Sequence, residues 1–430
     1  MSILDRLPPI WGLSDFRRFW TATTAALFGS AFGLIVIPLI AALTLDASPA
    51  DIGLLGFLEL LPYLLFGLFA GVWVDRFSRR RVMLVCHLGR FLVLCGIPIA
   101  YLSGTLNLPF LLATSFVFGT FSLFFDIAHQ AFLPSLLERD ELVSANGAMQ
   151  FSRSAAELSG PGIAGPVIAM VTAPAAVLVN AFSFLAAAVL LLRVRRGGEA
   201  VSRSGEPASV LSDTREGLVY VLRTRMLRAI AASLFAVYFF VVSISILTIY
   251  YASTQLGLGP TQIGVAYALG SVGTLIGASI NSPLMRLLGL GRMVWMSALL
   301  SGLGPLLIAL ATPGNGFVML IASEAIVSVC GTVFAVGQVS IRQSVTPDFI
   351  QGRMNGFMRF IGIGSRAVGS LVAGVVGDLI GVRATLAIGS VGGLLAFLSI
   401  WYSPIRRLRT PEDVTQELAS DWLAERSDDA

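Results

Sequence analysis

The sequence contains no lysine and few charged residues of any kind. All 29 basic residues are arginine, and charged residues make up only 13% of the 430 positions. A soluble domain usually has about 25% charged residues, so this chain lacks the groups that keep a globular surface in water. Its mean hydropathy of +0.83 and its 56% of hydrophobic residues instead predict a protein embedded in a bilayer.

Cysteine and histidine are also scarce, which argues against several kinds of site. Cys86, Cys95 and Cys330 lie within apolar runs, so we expect neither a disulfide framework nor a metal site. The sequence has no P-loop, zinc-ligand spacing or catalytic triad pattern, so we expect no enzyme activity, no cofactor and no ATP-driven pumping. The N-terminus lacks the features of a cleaved signal peptide, so the first apolar segment is expected to remain as a membrane anchor.

Apolar runs long enough to cross a bilayer recur along the whole chain. A helix needs about 20 mostly apolar residues to do so, and it satisfies its backbone hydrogen bonds within its own segment. The sequence therefore predicts an all-α membrane protein. The twelve expected transmembrane helices cover residues 19–45, 52–74, 82–103, 109–133, 147–171, 174–193, 229–252, 262–285, 292–312, 316–341, 355–377 and 383–403.

The arginines are distributed unevenly among the connections between these spans. They occur at both termini and in the connections that follow even-numbered spans, whereas the opposite connections have only Arg383 nearby. Because basic residues favour the cytoplasmic side, both termini are expected in the cytoplasm of a bacterial plasma (inner) membrane. The basic pI therefore gives no indication of nucleic-acid binding.

The two halves of the chain resemble each other in sequence. Residues 145–151 and 354–360 share the pattern N-G-x-M-x-F at an offset of 209, and Ile52-Gly53 matches Ile263-Gly264 at an offset of 211. The match predicts two pseudo-symmetric six-helix bundles, with chance similarity of glycine-rich helices as the alternative. The expected domains are the bundles 1–193 and 229–403, the cytoplasmic linker 194–228 and the cytoplasmic tail 404–430.

A dense charge cluster, GVWVDRFSRRRVML at residues 71–84, separates the second and third spans. It resembles the signature G-x-x-x-D-R-x-G-R-R-R of the major facilitator superfamily, with Ser78 replacing the middle glycine. The resemblance implies that Asp75 meets the positive end of span 11 when the cytoplasmic side is closed, and that Gly71 permits close helix approach. A plain anchor at the anionic inner leaflet is the alternative. The implied conformational gate consists of Gly71, Asp75, Arg76, Arg79, Arg80 and Arg81.

Span 5 contains a second pattern, SGPGIAGP, at residues 159–166. It resembles the G-P-x-x-G-G pattern of antiporters in the same superfamily, and its small residues permit tight helix contact. By this resemblance, Gly160, Pro161, Ala164 and Gly165 seal the outer route and indicate export, whereas ordinary Gly/Pro richness is the alternative. The preceding segment FLPSLLERDELVSANG also resembles proton-coupled drug and siderophore exporters of the macrolide and enterobactin type.

Ionisable residues inside the spans are further candidates, because each costs several kcal/mol unless it is paired or hydrated. Glu59 and Glu324 are expected to be buried without a nearby base, and Glu157 is expected near mid-membrane. Such a carboxyl group can carry a proton or bind a cationic substrate. A neutral acid that is hydrogen-bonded to a neighbouring helix is the alternative.

Three further charges are expected to form a relay of ion pairs. Arg90 in span 3 and Asp126 in span 4 both lie toward the cytoplasmic end, where we expect them to support the Asp75 gate. Arg153 lies one helical turn from Glu157 and can pair with it.

Together these features predict a secondary active transporter that exports small amphiphilic molecules, drug-like compounds or siderophores, by alternating access in exchange for protons. We expect a monomer in the lipid bilayer that binds its small-molecule substrate and protons. An importer or facilitator of the same fold remains an alternative. A membrane sensor or scaffold without transport activity is another, and it predicts no substrate-dependent proton flux.

Overall fold

The computed structural model describes residues 9–195, 210–410 and 412–413. The chain folds into long helices, and no β-strand occurs within these residues. One helix lies in the expected linker, and the other twelve match the expected spans one for one. The helices are α1 Ser14–Thr44, α2 Pro49–Asp75, α3 Arg79–Leu102, α4 Leu108–Leu136, α5 Leu142–Val171, α6 Ala173–Leu192, α7 Val210–Arg223, α8 Arg225–Thr254, α9 Pro260–Leu288, α10 Leu290–Ala309, α11 Gly316–Val345, α12 Asp348–Ile380 and α13 Val382–Trp401.

The long helices have the length and the surface of membrane spans. Eleven helices in the described part of the chain are long and apolar enough to cross a membrane. The twelfth, α5, has 30 residues and is less apolar because it carries Arg153 and Glu157 among several serines and glycines. Large apolar side chains such as Leu102 and Met170 are 84% and 83% exposed, as a surface that faces lipid requires. The prediction of an all-α membrane protein is therefore confirmed.

Local sequence explains where several helices begin. Ser48 caps α2 with its hydroxyl oxygen, which accepts a hydrogen bond from the Asp51 amide at 3.2 Å, and the Asp51 carboxylate accepts one from the Ser48 amide at 2.9 Å. Pro49 follows at the first helical position, where its missing N–H costs nothing. Asn107 caps α4 in a similar way through the Phe110 amide.

The described residues form two compact units, and each has the same internal packing order. The first combines Met1–Glu206 with Ala252–Ala268, and the second combines Pro207–Tyr251 with Leu269–Ala430. In the first unit α1 packs on α5 and α6, α3 on α4 and α6, and α2 on α4. In the second unit α8 packs on α12 and α13, α10 on α11 and α13, and α9 on α11. Helices that correspond in the sequence repeat therefore pack on corresponding partners in the two units.

The repeated glycines lie at equivalent helix crossings in the two units. A Cβ atom on Gly160 of α5 would be 2.5 Å from the Cβ of Ala31 on α1. A Cβ atom on Gly369 of α12 would be 2.7 Å from the carbonyl oxygen of Phe239 on α8. These two glycines are separated by the same 209 residues as the N-G pairs. Residues that match in sequence at this offset therefore also make equivalent helix contacts in the two units.

The expected linker 194–228 contains a packed helix, α7, in its described part. The helix α7 lies against α12, because a Cβ atom on Gly217 would be 2.7 Å from the carbonyl oxygen of Arg353. Glu216 pairs with the Arg353 guanidinium at 2.6 Å, and the Tyr220 hydroxyl donates to the Val345 carbonyl at 3.0 Å. Burial at this contact raises the pKa of Tyr220. Residues 196–209 of the linker, and 411 and 414–430 of the expected tail, lie outside the described residues.

We predict that Gly160→Ala and Gly369→Ala each lower the thermal unfolding midpoint of the purified protein in detergent. The added methyl group would overpack a helix crossing, which costs about 1–3 kcal/mol. The matched controls are Gly147→Ala and Gly356→Ala, which also lie at the 209-residue offset but whose added Cβ would meet no described atom of another helix within 4 Å. Alanine has the higher helix propensity, so neither control should lower the midpoint. Equal destabilisation by all four variants would contradict the crossing geometry.

Candidate functional site

The charged turn between α2 and α3 is held mainly by its own arginines. Asp75, the last residue of α2, pairs with Arg79, the first residue of α3, at 3.7 Å between Oδ1 and Nη2. Arg79 also donates to the carbonyl of Ala131 on α4 at 2.9 Å. The turn therefore joins the ends of three helices of the first unit.

Further arginines bind the carboxyl end of α6. Arg80 donates to the carbonyl oxygens of Leu191 at 3.3 Å and Leu192 at 2.6 Å. Arg18, near the start of α1, donates to the carbonyl of Arg193 at 2.8 Å. The last carbonyls of a helix lack intrahelical donors and carry partial negative charge, so cations stabilise them. These arginines act on helix ends, in addition to any attraction to lipid.

The remaining residues of the predicted gate are less constrained. Arg76 and Arg81 are exposed. A Cβ atom on Gly71 would meet no described atom within 4 Å. No helix of the first unit lies against this described position, so the close helix approach at Gly71 stays a prediction.

The predicted antiporter pattern in α5 lies against two other helices. One face meets α1 at Gly160, as described above. On the other face, a Cβ atom on Gly165 would collide with the Pro260 carbonyl of α9, and one on Gly264 would collide with the Pro161 carbonyl. Ala164, between these contacts, is fully buried. This backbone-to-backbone contact explains why residues 252–268 group with the first unit, although the expected domain boundary placed them in the second.

The membrane carboxylates lie in surroundings that differ from those expected. Glu59 and Glu157 are exposed and Glu324 is half-buried, so the expectation of burial for Glu59 and Glu324 is wrong. The apolar sequence around Glu59 covers other faces of α2, while its own position points out of the packed core. Arg153, also exposed, attracts the Glu157 carboxylate one turn away on α5.

Glu59 lies at the crossing of α2 and α4, and Glu324 lies at the corresponding crossing of α9 and α11 in the second unit. On α4, a Cβ atom at Gly119 would collide with the Glu59 carbonyl of α2. On α9, a Cβ atom at Gly270 would collide with the Cβ of Glu324 on α11. Gly270 follows Glu59 by the same 211 residues that separate Gly53 and Gly264. Each unit therefore has one glutamate and one glycine at this crossing. In the first unit the glutamate is on α2 and the glycine on α4, whereas in the second unit the glycine is on α9, which corresponds to α2, and the glutamate is on α11, which corresponds to α4.

The expected relay residues meet inside the first unit, but their contacts involve aromatic rings. Arg90 is only 4% exposed, and its guanidinium carbon lies 4.5, 5.2 and 5.7 Å from the ring centroids of Phe125, Phe184 and Phe118. Asp126 accepts a hydrogen bond from the Tyr63 hydroxyl at 2.8 Å and attracts the Arg90 cation. A buried cation is therefore stabilised by ring faces together with one carboxylate.

Two histidines lie beside this cluster. His87 packs against Phe125 with ring centroids 4.6 Å apart, and His129 stacks on Phe19 at 5.3 Å. His87 Nδ1 and Arg90 Nε are buried, and neither has a hydrogen-bond partner among the described residues. No group of three or more His, Cys, Asp or Glu side chains suited to a metal ion occurs in the described part of the chain.

Several residues at these sites were not identified from the sequence. The rings of Phe118, Phe125 and Phe184 were indistinguishable from the many other phenylalanines, because only packing selects which rings surround Arg90. Gly119 carried no sequence signal as the partner of Glu59. Gly270 did carry one, since the 211-residue offset places it opposite the position of Glu59 in the first half.

The fold, the helix number and the charged turn define a membrane transporter of the major facilitator type. A family model described as "Transmembrane secretion effector" matches residues 10–427, and the chain belongs to that family. The multidrug efflux pump Tap of Mycolicibacterium fortuitum is 26% identical over 90% of this chain and 95% of its own length. The Staphyloferrin A transporter of Staphylococcus aureus is 22% identical over 83% of this chain and 88% of its own.

The solved structures agree on the fold. The crystal structure of the nucleoside transporter NupG matches 90% of this chain and 99% of its own, with a TM-score of 0.75 at 12% identity. The family match and the apolar helices together make the protein a multi-pass transporter in a lipid bilayer that acts on a small molecule.

We predict that Asp126→Asn and Arg90→Met each destabilise the protein, while the double variant loses less than the sum. Removing either charge removes the attraction between the Arg90 cation and the Asp126 carboxylate, and contacting pairs couple by about 0.5–3 kcal/mol. The measurement is a double-mutant cycle by thermal unfolding in detergent. Glu138, an exposed acid on the connection after α4, provides the control, because Arg90→Met with Glu138→Gln should be additive. Additivity in the Asp126 cycle would refute the pairing.

Proposed function

We propose that this protein exports small amphiphilic molecules, drug-like compounds or siderophores, by alternating access in exchange for protons. The observation that carries this proposal is the reciprocal arrangement of Glu59 and Glu324 at equivalent helix crossings. A glutamate that is accessible at membrane depth is costly unless water reaches it, and water is what a proton carrier requires. The rigid crossing beside each glutamate fixes where its carboxyl group can meet a proton or a cation.

The direction of transport is supported by α5. The small residues Gly160 and Gly165 bring α5 into contact with α1 and α9 at once. Close contact of α5 with α1 and α9 can close the outer route through the protein without bulky side chains, as the resemblance to antiporters implies. Asp75 and the arginines of the charged turn would bias the conformational equilibrium, because their contacts join helix ends that must separate if the helices move.

The named relatives favour efflux of amphiphiles. Tap is a multidrug efflux pump, and the Staphyloferrin A transporter carries a siderophore. At 26% and 22% identity, these relatives support the substrate class more than any single compound. We further propose that the protein functions as a monomer, with no catalytic reaction of its own, and that both termini are cytoplasmic in the bacterial inner membrane.

The test of coupling is proton movement in inside-out membrane vesicles that are acid inside. A panel of lipophilic cations, macrolides and catecholate siderophores is added while the pH gradient is followed. A transported compound should discharge the gradient, and Glu59→Gln or Glu324→Gln should reduce this discharge to the level of vesicles without the protein. Asp75→Asn should slow the discharge, because it weakens the gate and leaves both proposed proton carriers in place.

The control and the alternatives use the same vesicles. Glu138→Gln removes an exposed carboxylate outside the spans and should behave as the parent does. If Glu59→Gln and Glu324→Gln both discharge the pH gradient as fully as the parent does, the proposed role of these carboxylates is refuted. Counterflow of a panel compound without proton release would indicate a facilitator. Absence of both signals across the panel would favour the sensor or scaffold.

The orientation is tested by labelling single introduced cysteines with a membrane-impermeant thiol reagent. Gly314→Cys lies in an exposed connection at the proposed outer face, and Arg139→Cys lies in an exposed connection at the inner face. Intact cells should label only Gly314→Cys, and permeabilised cells should label both. The parent is the control for its own cysteines, of which Cys86 and Cys330 are buried and Cys95 is half-buried within α3. The reverse pattern would contradict cytoplasmic termini.

A further inference from the structure

The second unit contains a cavity at its arginine-rich end. The cavity has a volume of about 1020 Å³, at the upper end of the range for drug-sized ligand pockets. It forms where α9 ends, where α10 begins and where the chain returns after α13. Five arginines line it: Arg286, Arg292, Arg406, Arg407 and Arg409.

Backbone contacts fix the shape of this cavity. The amides of Leu290 and Gly291 donate to the carbonyls of Arg409 at 3.0 Å and Leu408 at 2.9 Å. A Cβ atom on Gly291 would collide with the carbonyl of Ile405, so only glycine allows the returning chain to lie this close. The first amides of α10 are therefore already paired, and the positive charge in the cavity comes from side chains.

The acidic residues that the structure describes near this cavity lie outside its lining. No acidic residue is among the lining residues that the structure describes. Two described acids follow the lining along the chain: Glu412 is exposed, and Asp413 accepts hydrogen bonds from the amides of Thr410 at 3.0 Å and Arg409 at 2.7 Å. These bonds lower the pKa of Asp413 and commit its carboxylate to a backbone turn. The exposed guanidinium groups of Arg286, Arg292 and Arg406 are thus available to an anion.

Aromatic and apolar side chains complete the lining. Trp295 and Trp401 pack edge to face with ring centroids 5.0 Å apart, and the Arg406 guanidinium lies 5.7 Å from the Trp401 ring. Tryptophan is enriched at the boundary between lipid tails and headgroups. Leu287, which also lines the cavity, is 81% exposed. Apolar and aromatic side chains therefore line the same cavity as the five arginines.

We propose that this cavity binds the phosphate headgroup of an anionic phospholipid, with its acyl chains along Leu287 and the tryptophan pair. Guanidinium groups bind phosphate oxygens in a bidentate geometry, and basic pockets at the cytoplasmic boundary attract anionic headgroups. A free phosphate ion could use the arginines but would leave the aromatic and apolar side chains unused. The described lining lies within residues 285–295, at Trp401 and in residues 406–410, and occupancy of the cavity does not depend on the proposed transport reaction.

The test is native mass spectrometry of the full-length protein in detergent, titrated with phosphatidylglycerol or with phosphatidylcholine of identical acyl chains. Phosphatidylglycerol should bind at lower concentration. The double variant Arg292→Gln with Arg406→Gln should weaken its apparent affinity by about tenfold or more. The control, Arg139→Gln with Arg225→Gln, removes the same charge from exposed positions outside the cavity and should bind as the parent does.

The outcomes separate the possible ligands. Equal weakening by both double variants would indicate general attraction to positive charge and would overturn the site. Equal binding of the two phospholipids, with inorganic phosphate bound through the same arginines, would overturn the lipid assignment. Unfolding midpoints verify that each variant is folded. If the first pair fails to fold, Arg407→Gln with Arg409→Gln removes two other lining charges and should weaken phosphatidylglycerol binding in the same way.

Discussion

Direct contact between helix backbones is the constraint on which this structure depends. Lipid tails are as apolar as leucine, so helices in a bilayer associate through close packing and not through expulsion of water. Gly160, Gly165 and Gly119 provide that packing in the first unit. Gly369 and Gly270 provide it in the second. If these crossings widened, the helices that carry the membrane glutamates would lose their fixed positions.

Arginine performs several distinct functions in a chain without lysine. Arg80 uses two of its donors for two carbonyls at the end of α6, and Arg90 lies among three phenyl rings. Both uses depend on a planar, delocalised cation with donors in a fixed geometry, which an ammonium group does not offer. None of the described residues that line the cavity beside α10 is acidic, and there the same geometry suits a phosphate. One residue type thus stabilises helix ends, a buried core and a basic surface.

Much of the fold could be predicted because its determinants are local in sequence. The twelve spans follow from runs of apolar residues, and each expected run lies largely within one observed helix. The repeat of N-G-x-M-x-F at an offset of 209 correctly indicated that the halves share an internal packing order. The site was less predictable. Arg90 and Asp126 could be named as interior charges, but the aromatic surroundings of Arg90 depend on three residues from two other helices.

The sequence by itself determined the number of spans, the duplication and the concentration of arginine in particular connections. Run length and charge decide these properties before any helix meets another. Only the tertiary structure decided which face of each helix is covered. It left Glu59 exposed on an otherwise apolar span, turned part of a polar linker into the packed helix α7, and brought the end of α13 back to the start of α10. The reason is physical: exposure and contact are properties of helix pairs, and the relative rotation of two helices is not encoded in the hydropathy of either one.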